Sequence, residues 1–249
     1  MTLISTIIEH TPKPQPQVLQ AVYSDQYSGE WVNYQIGDKP VRKFCQPKND
    51  FYRSGGRAVV LGNGPNRQRY PLARFNLSNK HKRLETYNIL YGCNLAYSEE
   101  GELDYLIINN LLMSTKIPKD LHSICYATPE IQRVFQDMEL IPVNRQLDSG
   151  SIAAMMACFH GCDSVFLYGF DGFPDGKNQN IYAGQTYYAE NGIEMSDMLW
   201  QENLKALMIA YPNVTFYRID SNPPNARILT VLPNYRLITF NEFVSLADL

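Results

Sequence analysis

The chain has 249 residues, 45% of them hydrophobic, and its formal net charge is −3 at pH 7 with a sequence pI near 5.8. This size is enough to bury a full core, and one domain of the larger α/β kind is the simplest expectation. The acidic balance argues against broad nonspecific binding of nucleic acid, although a local basic groove is compatible with it. No stretch approaches the roughly 18 consecutive apolar residues of a membrane helix. The N-terminus has neither a basic leader nor a small-residue cleavage site, so no signal peptide is expected.

Residues 1–54 differ in composition from the rest and are expected to form an N-terminal extension. Thr11 to Pro16 alternates proline with polar residues and is expected to be extended. The tyrosine- and tryptophan-rich residues 21–37 predict either a β-hairpin or an arm laid over a neighbour. A packed extension is favoured over a contact with a lid or partner, and the arm is the only sign of a homo-oligomer. Residues 55–249 are expected to form a single domain.

The segment RAVVLGNGPN, residues 57–66, organises this domain. Its apolar, β-branched start is typical of a buried strand, and Gly62-Asn63-Gly64-Pro65 ends that strand abruptly. Glycines permit positive φ and let a ligand approach the main chain closely, and such a turn at a strand end is typical of anion sites in open α/β sheets. An ordinary strand followed by a tight turn is the alternative. The spacing fits neither the dinucleotide fingerprint nor the Walker loop. The basic run that follows, residues 67–83, is explained by a solvated face, with a member that reaches a phosphate as the alternative.

Two further predicted strands end in asparagine. Residues 86–94 form an apolar strand that ends at Asn94, and residues 104–110 form another that ends at Asn109 and Asn110. Asparagine is a common turn former, but its amide also suits ribose hydroxyls, base edges and phosphate oxygens. A fourth strand is predicted over residues 123–127, with Thr128 and Pro129 opening a helix.

A second signature begins at Leu147, where Asp148 or Ser149 is a suitable helix cap and Gly150 permits close approach. An Ala- and Met-rich helix follows, whose N-terminus makes a second candidate anion site. Residues 163–171 form a strand that ends in Gly169-Phe170-Asp171. Residues 172–197 lack periodicity and are expected to form a lid or binding loop. Helices are predicted over 198–210 and 241–249, with strands over 214–219 and 236–240. This alternation predicts a doubly wound, mainly parallel sheet.

Metal and disulfide chemistry are not expected. Five scattered cysteines without a Cys-x-x-Cys pair indicate reduced thiols in a cytoplasmic protein. Cys158, His160 and Cys162 are close in sequence and suggest a metal cluster. Residues two apart on a helix point in different directions, however, so the histidine does not converge with the cysteines.

Taken together, VLGNGPN, YGCNLAY, DSGSIAAMMACFHGCDSVFLYGFD and the tyrosine-bearing loop resemble the bacterial sialyltransferases of glycosyltransferase family 42. They also resemble the related Rossmann-like domains of motility accessory factors and 6-hydroxymethylpterin pyrophosphokinase-like proteins. The similarity covers about Arg57 to Asn222. It implies a Rossmann-like, GT-A-type variant with a lid, which binds a nucleotide sugar of the CMP type without a metal or other cofactor.

The resemblance also implies which residues hold the donor. Asn63, Gly64 and Asn94 would contact phosphate and sugar, with Gly62 and Pro65 in the same turn. The other implied donor-site residues lie at the following strand ends and helix start: Asn109, Asn110, Ser149, Gly150, Gly169, Asp171 and Phe173.

The implied catalytic groups lie in and after the lid. The family uses two lid tyrosines to assist the leaving phosphate; Phe173 replaces one and lacks its hydroxyl, whereas Tyr182 matches the other. The family's base is a histidine after the lid, but no histidine follows His160 in this chain. Glu194 is the candidate base, because a carboxylate made more basic by burial can accept a proton. A solvated Glu194 is the alternative, and Asp197 is better explained as a helix cap.

Three functions follow from these observations. The first is a metal-independent glycosyltransferase whose acceptor is unidentified: a glycan, a protein, a small molecule or a nucleic acid. The second is Mg²⁺-dependent diphosphate transfer to a pterin-like alcohol, for which Asp171 and Asp175 are the only local carboxylate pair. The third is a catalytically silent nucleotide-binding module, suggested by the missing histidine.

Overall fold

The structure of the chain is a computed structural model. It describes residues 4–6, 17–25, 29–36, 39–45, 56–70, 88–100, 103–118, 120–132, 134–141, 147–171, 180–185, 197–220 and 227–249. No helix within these ranges is both long and apolar enough to cross a membrane.

The first four strands form an antiparallel sheet of their own, in the order β1-β2-β3-β4. They are β1 (Ile4–Thr6), β2 (Gln17–Asp25), β3 (Gly29–Ile36) and β4 (Lys39–Cys45). β2 and β3 pair with Val22 opposite Trp31, so the structure has the hairpin that was one of the two alternatives for this segment. The predicted extended stretch from Thr11 to Pro16 lies outside the described residues. The domain boundary at residue 54 stays a prediction.

The second sheet has eight strands in the order β12-β11-β10-β5-β6-β7-β8-β9, and each neighbouring pair is parallel. Its strands are β5 (Gly56–Leu61), β6 (Asn88–Cys93), β7 (Tyr105–Ile108), β8 (Ile124–Ala127), β9 (Glu139–Leu140), β10 (Cys162–Tyr168), β11 (Thr215–Ile219) and β12 (Tyr235–Ile238). The predicted parallel α/β architecture is confirmed. The two-residue strand β9 was not predicted, because a strand this short carries no periodicity.

Helices accompany the second sheet, and the two long ones were predicted. They are α1 (Asn66–Arg69), α2 (Tyr97–Glu100), α3 (Leu111–Ser114), α4 (Pro129–Gln132), α5 (Ser149–Phe159), α6 (Asp197–Ala210), α7 (Arg227–Thr230) and α8 (Phe240–Leu246), and a 3₁₀ turn spans Asn94–Ala96. The last helix, α8, begins with a full capping box, in which the Thr239 hydroxyl accepts from the Glu242 amide and the Glu242 carboxylate accepts from the Thr239 amide. That reciprocal pattern satisfies two amides that a helix start otherwise leaves open.

The central strand β5 is buried on both faces, as its continuous apolar sequence predicts. Ala58 and Val60 belong to the core layer formed with the buried residues of α5 and α6. Val59 and Leu61 belong to the opposite layer, which includes Phe243 of α8. Because successive strand residues point to opposite faces, one apolar strand supplies both layers of a doubly wound domain.

The direction of the chain across the sheet reverses between β5 and β10. From β5 the strands proceed outward to β9, and the chain then returns to β10 on the other side of β5. In open parallel sheets the crevice for a ligand lies at such a switch point, outside the carboxyl ends of the strands. The turns that follow β5 and β10 therefore mark the candidate site.

Candidate functional site at the sheet switch point

The turn after β5 and the turn after β10 are bonded directly to each other. The amide of Gly62 donates to the carbonyl of Tyr168 at 2.7 Å, and the amide of Gly64 donates to the carbonyl of Gly169 at 2.8 Å. An amide that already donates within the protein is not free to hold a phosphate oxygen. The anion-binding capacity of the turn from Gly62 to Pro65 therefore depends on Asn63 rather than on the two glycine amides.

The contact between the two turns also explains why glycine is required at these positions. A Cβ on Gly62 would lie 2.4 Å from the carbonyl oxygen of Gly169, and one on Gly64 would lie 2.6 Å from that same oxygen and from Oδ2 of Asp171. Both distances are too short for any side chain. Gly169 itself has φ of +79°, the left-handed region that favours glycine. The two turns require glycine in order to pack together, whether or not a ligand approaches them.

A chain of three polar side chains crosses the carboxyl ends of the neighbouring strands. The Ser149 hydroxyl donates to Oδ1 of Asn109 at 2.6 Å, and Nδ2 of Asn94 donates to the Ser149 oxygen at 3.1 Å. Serine has one proton to give, so this arrangement fixes the direction of both bonds. It leaves Oδ1 of Asn94 as an acceptor that is buried and, among the described residues, without a hydrogen-bond partner.

The backbone of Asn94 is unusual as well, with φ of +51°. Left-handed conformations outside glycine cost free energy and are most tolerated by asparagine and aspartate. The structure thus brings three of the predicted site residues together, Asn94, Asn109 and Ser149. Asn110 does not join them: it is exposed, and its side chain caps α3 by accepting from the amides of Leu112 and Met113.

The start of α5 is capped by Asp148, one of the two residues that the sequence offers as its cap. The Asp148 carboxylate accepts from the amide of Ser151 at 2.9 Å and from Nδ2 of Asn203 at 3.0 Å. A carboxylate at this position offsets the positive end of the helix dipole, which weakens the helix start as an anion site. Gly150 lies in the same turn, and a Cβ there would meet the ring of Phe170 at 2.9 Å. Phe170 thereby packs between the glycine turn and α5.

Asp171, at the end of the β10 turn, lies in the crevice with only one carboxylate oxygen bonded among the described residues. Oδ2 accepts from the amide of Asn66 at 2.6 Å, whereas Oδ1 is buried without a hydrogen-bond partner there. Burial raises the pKa of Asp171 to about 6, and the nearby Asp220 carboxylate adds to the rise; the Asn66 amide and Arg218 act in the opposite direction. A buried carboxyl with this pKa can titrate near neutral pH.

A buried ion pair at the carboxyl end of β11 contacts the β10 turn. Arg218 is completely buried; its Nε donates to the Phe170 carbonyl at 2.8 Å, and a terminal nitrogen donates to Asp220 at 2.7 Å. Its guanidinium also lies 5.3 Å from the ring of Trp200, within the range of a cation–π contact. The side-chain Nδ2 of Asn66 donates to Oδ1 of Asp220 at 3.4 Å, so this ion pair contacts both turns.

A second buried cation, Arg67, lies next to the glycine turn. Its Nη1 donates to the Gly62 carbonyl at 3.0 Å and to the hydroxyl oxygen of Tyr182 at 3.2 Å. Arg67 is 3% exposed and Tyr182 is fully buried. The residue before Tyr182 is also attached to the turn, since the Ile181 amide donates to the Asn63 carbonyl at 2.9 Å. Residues 180–185 therefore lie on the glycine turn.

Sequence reasoning missed the roles of Asn66, Arg67, Arg218 and Asp220. A weak signal for the ion pair exists, because Arg218 and Asp220 are two apart at the end of a strand and so lie on one face. Arg67 belongs to the basic run for which the sequence predicts a solvated face, with contact to a phosphate as the alternative, and the structure buries it. Nothing in the local sequence distinguishes a buried basic residue two positions after the Gly-Asn-Gly-Pro turn from an exposed one.

The candidate metal cluster has a different role in the structure. His160 is buried, and its Nδ1 and Nε2 lie 2.9 and 3.2 Å from the hydroxyls of Tyr91 and Tyr126. Burial lowers the pKa of His160 to about 3. Within the described ranges, no group of three or more histidine, cysteine, aspartate or glutamate side chains is arranged to hold a metal ion. Cys93, Cys125, Cys158 and Cys162 are free thiols.

Three residues of the sequence hypotheses lie outside the described residues: Phe173, Asp175 and Glu194. Most of the predicted lid, residues 172–197, also lies outside the described residues. Their assignments stay predictions.

No protein-family model and no curated protein matches this chain. Solved structures similar to this chain include the sialyltransferase CstII from Campylobacter jejuni in complex with a substrate analogue, cytidine-5'-monophosphate. Its sequence is 15% identical and the TM-score is 0.48, and the match covers 73% of this chain and 87% of that one. A variant of the sialyltransferase CST-II in complex with CMP is 14% identical with a TM-score of 0.48, over 77% of this chain and 98% of that one. CST-II in complex with a trisaccharide acceptor and CMP is 16% identical with a TM-score of 0.43, over 72% and 86%. The likeness to pyrophosphokinase-like proteins stays a prediction.

Proposed function

We propose that this protein binds a nucleotide sugar of the CMP type at the sheet switch point and transfers the sugar to a hydroxyl acceptor without a metal ion. The observation that carries the proposal is the Asn94 side chain. It lies in a left-handed backbone and is bonded through Ser149 to Asn109, and its buried Oδ1 has no hydrogen-bond partner among the described residues. A structure that keeps a costly backbone and an unsatisfied buried oxygen at a sheet edge has the features of a ligand site.

The chemistry of the crevice suits a ligand that carries both hydroxyl groups and a negative charge. Oδ1 of Asn94 and Oδ1 of Asp171 are acceptors, which need donors such as ribose or sugar hydroxyls or a base amino group. Arg67 places a buried positive charge beside the glycine turn between them. A nucleoside monophosphate linked to a sugar carries hydroxyl and amino donors for both oxygens and a phosphate whose charge is opposite to that of Arg67, whereas a neutral sugar or an inorganic anion has only some of these groups.

The roles that the motif resemblance implies complete the proposal. Asn63 and Gly64, with Gly62 and Pro65 in the same turn, would face the donor phosphate, and Ser149, Gly150, Gly169, Asp171 and Phe173 would line the nucleotide. Tyr182 would assist the departing phosphate. Glu194 would accept the proton of the attacking hydroxyl as the new glycosidic bond forms and the bond to the phosphate oxygen breaks. The acceptor is a hydroxyl compound, and a cytoplasmic location is part of the proposal.

Ligand-dependent stability tests the binding step. We expect CMP or CDP, without Mg²⁺, to raise the melting temperature, and UDP, GDP and ATP to have smaller effects. A ligand at about 100 times its Kd adds roughly 2.7 kcal/mol of stability, which a melting curve measures readily. Stabilisation by ATP with Mg²⁺ alone would replace the transferase with the diphosphotransferase, and no shift with any nucleotide would refute the binding proposal.

Substitution of Asn94 by glycine separates the role of its side chain from the role of its left-handed backbone. Asn94→Gly keeps the left-handed conformation accessible and removes only the side chain, so we expect the Kd for CMP to rise about 3- to 10-fold for one lost neutral hydrogen bond. Asp248→Gly is the matched control. Asp248 and Asn94 are the two described residues other than glycine that have positive φ, and φ of Asp248 is 55°. Asp248 pairs with Arg57 at the amino end of β5, the opposite end of that strand from the glycine turn. An equal effect of both substitutions would contradict a role for Asn94 in binding.

Turnover with CMP-sugars in the presence of EDTA tests the reaction. Full activity with EDTA removes the Mg²⁺-dependent alternative. Glu194→Gln then tests the base: unchanged turnover would exclude Glu194 from that role. Binding of CMP without turnover of any CMP-sugar would instead assign the protein as a nucleotide-binding module.

A further inference from the structure

The carboxyl group of Asp171 is held on one side by the glycine turn. Its Oδ2 accepts from the Asn66 amide at 2.6 Å. Oδ2 and Cγ lie only 2.6 and 2.8 Å from the position that a Cβ on Gly64 would occupy, so the carboxyl group packs directly against the backbone of the turn. Because Oδ2 is engaged there, Oδ1 is the oxygen that is left for any other partner.

Oδ1 of Asp171 is buried and has no hydrogen-bond partner among the described residues, and the residue as a whole is 8% exposed. A charged oxygen that is withdrawn from water without a donor raises the free energy of the protein. A proton on the carboxyl group removes this cost, and so does a hydrogen-bond donor from a ligand. Both use the same oxygen, so one displaces the other.

The charged groups that act on Asp171 lie at the carboxyl end of β11. Asp220 disfavours the charged form of Asp171 and Arg218 favours it, and these two are paired with each other at 2.7 Å. Further ionisable groups on neighbouring elements are hydrogen-bonded elsewhere: Arg67 on α1, Asp148 at the start of α5 and Tyr182 on residues 180–185. Burial is the largest effect, and it raises the pKa of Asp171 to about 6.

We propose that nucleoside binding and protonation of Asp171 exclude each other, because a donor group of the nucleoside takes the same carboxylate oxygen, Oδ1, as the proton. This inference rests on the proposed function, which supplies a ligand with hydroxyl and amino donors. It adds a form of regulation to that site. Binding of the nucleoside releases a proton from the crevice, and acidification weakens binding.

The direction of the pH effect follows from the linkage between the two equilibria. A donor bonded to the charged carboxylate lowers the pKa of Asp171 in the complex, so the complex binds the proton less tightly than the free protein does. The affinity is therefore full above about pH 7 and falls as the pH drops below about 6. A phosphate near the carboxylate acts in the opposite direction, because like charges favour the neutral acid. Cytidine has the donors without the phosphate and is therefore the probe.

The dissociation constant of cytidine at pH 7.5 and pH 5 tests the competition. One competing proton with a pKa of about 6 predicts that the Kd of the wild type rises about ten-fold between these values. In Asp171→Asn the amide carbonyl accepts from the Asn66 amide, which leaves an NH₂ donor in place of Oδ1. The variant should therefore bind more weakly at pH 7.5, and the ratio of its Kd to that of the wild type should fall about ten-fold by pH 5. Titration of cytidine itself cancels in this ratio.

Asp163→Asn is the matched control. Asp163 is exposed and lies near the amino end of the same strand, β10, at the opposite edge of the sheet. Its ratio to the wild type should be the same at both pH values. Calorimetry of the wild type in two buffers with different ionisation enthalpies gives a measurement that needs no variant. At pH 5 cytidine should release about one proton on binding.

The outcomes separate this inference from the proposed function. A Kd ratio that is equal at both pH values, or tighter binding by Asp171→Asn at pH 7.5, would overturn the competition, whereas stabilisation by CMP would keep the proposed function. Binding of CMP without binding of cytidine would also overturn the competition, since the nucleoside donors would then add no measurable affinity. A wild type that binds neither compound would overturn both.

Discussion

The amide of Asn66 donates to a carboxylate oxygen of Asp171 at 2.6 Å, and this bond joins the end of the glycine turn to the end of the β10 turn. Two loops that are 105 residues apart in sequence are thereby held as one surface. Asp220 contacts the side chain of the same asparagine, so two carboxylates share one residue at the switch point. This arrangement makes the stability of the crevice sensitive to the protonation of Asp171.

Asp171 should make the protein less stable as the pH rises. Its pKa is raised to about 6 in the folded state, above the ordinary 3.8, so the folded state binds this proton more tightly than the unfolded state. The stabilisation is fully present below about pH 4 and is lost as the pH rises through about 6. Asp171→Asn should therefore be more stable than the wild type at pH 7.5, by on the order of 1–3 kcal/mol, and should lose that advantage at pH 4.

Urea unfolding at pH 4 and 7.5 measures this difference in the free energy of unfolding. The wild type and the variant are compared at each pH, so that the contributions of the other carboxylates cancel. A constant difference between the two proteins at both values would contradict a raised pKa. A variant that is less stable only at pH 7.5 would show that the charged form is the stabilising one.

Gly150→Ala should destabilise the protein although alanine is the better helix former. In an ordinary helix this change gains about 1 kcal/mol. Here the new methyl group would meet two atoms of the buried Phe170 ring at 2.9 Å, and overpacking of this kind costs about 1–3 kcal/mol. The measurement is the midpoint of urea unfolding. In a Phe170→Leu background the same substitution should become close to neutral; an equal cost in both backgrounds would place the clash elsewhere.

The sequence predicted the order of strands and helices well because β5, β6, β7 and β10 are buried on both faces. Their apolar runs stop at the sheet edge, so the pattern of apolar and polar residues is enough to place Gly62, Asn94, Asn109 and Gly169 at carboxyl ends of strands. The same local logic leaves Asp148 and Ser149 as candidate caps, and the structure has Asp148 in that role.

The contacts across the crevice could not be predicted, since each depends on a partner far away in sequence. Asn109 and Asn110 are equivalent as residue types, and only the position of Ser149 shows that one bonds it while the other caps α3. The sequence leaves open whether the glycines serve a ligand or an ordinary tight turn, and the distances show that contact with Gly169 and Asp171 already requires them. Burial of Arg67 likewise depends on Tyr182, 115 residues later.

Arg218→Met should be strongly destabilising because it leaves Asp220 buried without its cation. Both residues are almost inaccessible, at 0% and 6% exposure, and removal of one partner of a buried pair costs about 3–5 kcal/mol. The double variant Arg218→Met with Asp220→Asn should recover part of this loss, since it also removes the buried negative charge that Arg218 no longer offsets. Unfolding free energies of the four proteins give the coupling. Additive effects of the two substitutions would contradict a dependence of Asp220 on Arg218.

His160 should remain neutral well below the pH at which histidine normally gains a proton. Its ring lies between the hydroxyls of Tyr91 and Tyr126, and burial lowers its pKa to about 3, from the ordinary 6.5. The effect on the pH dependence of stability is opposite to that of Asp171. Below about pH 6.5 the unfolded state binds a proton at this histidine and the folded state does not. His160 therefore lowers the free energy of unfolding as the pH falls, by up to about 1.4 kcal/mol per pH unit. The ¹⁵N shifts of the His160 ring, assigned with a His160→Gln variant, should stay constant between pH 8 and 5. A titration midpoint near 6.5 would mean that water reaches the ring and that the tyrosine hydroxyls do not enclose it.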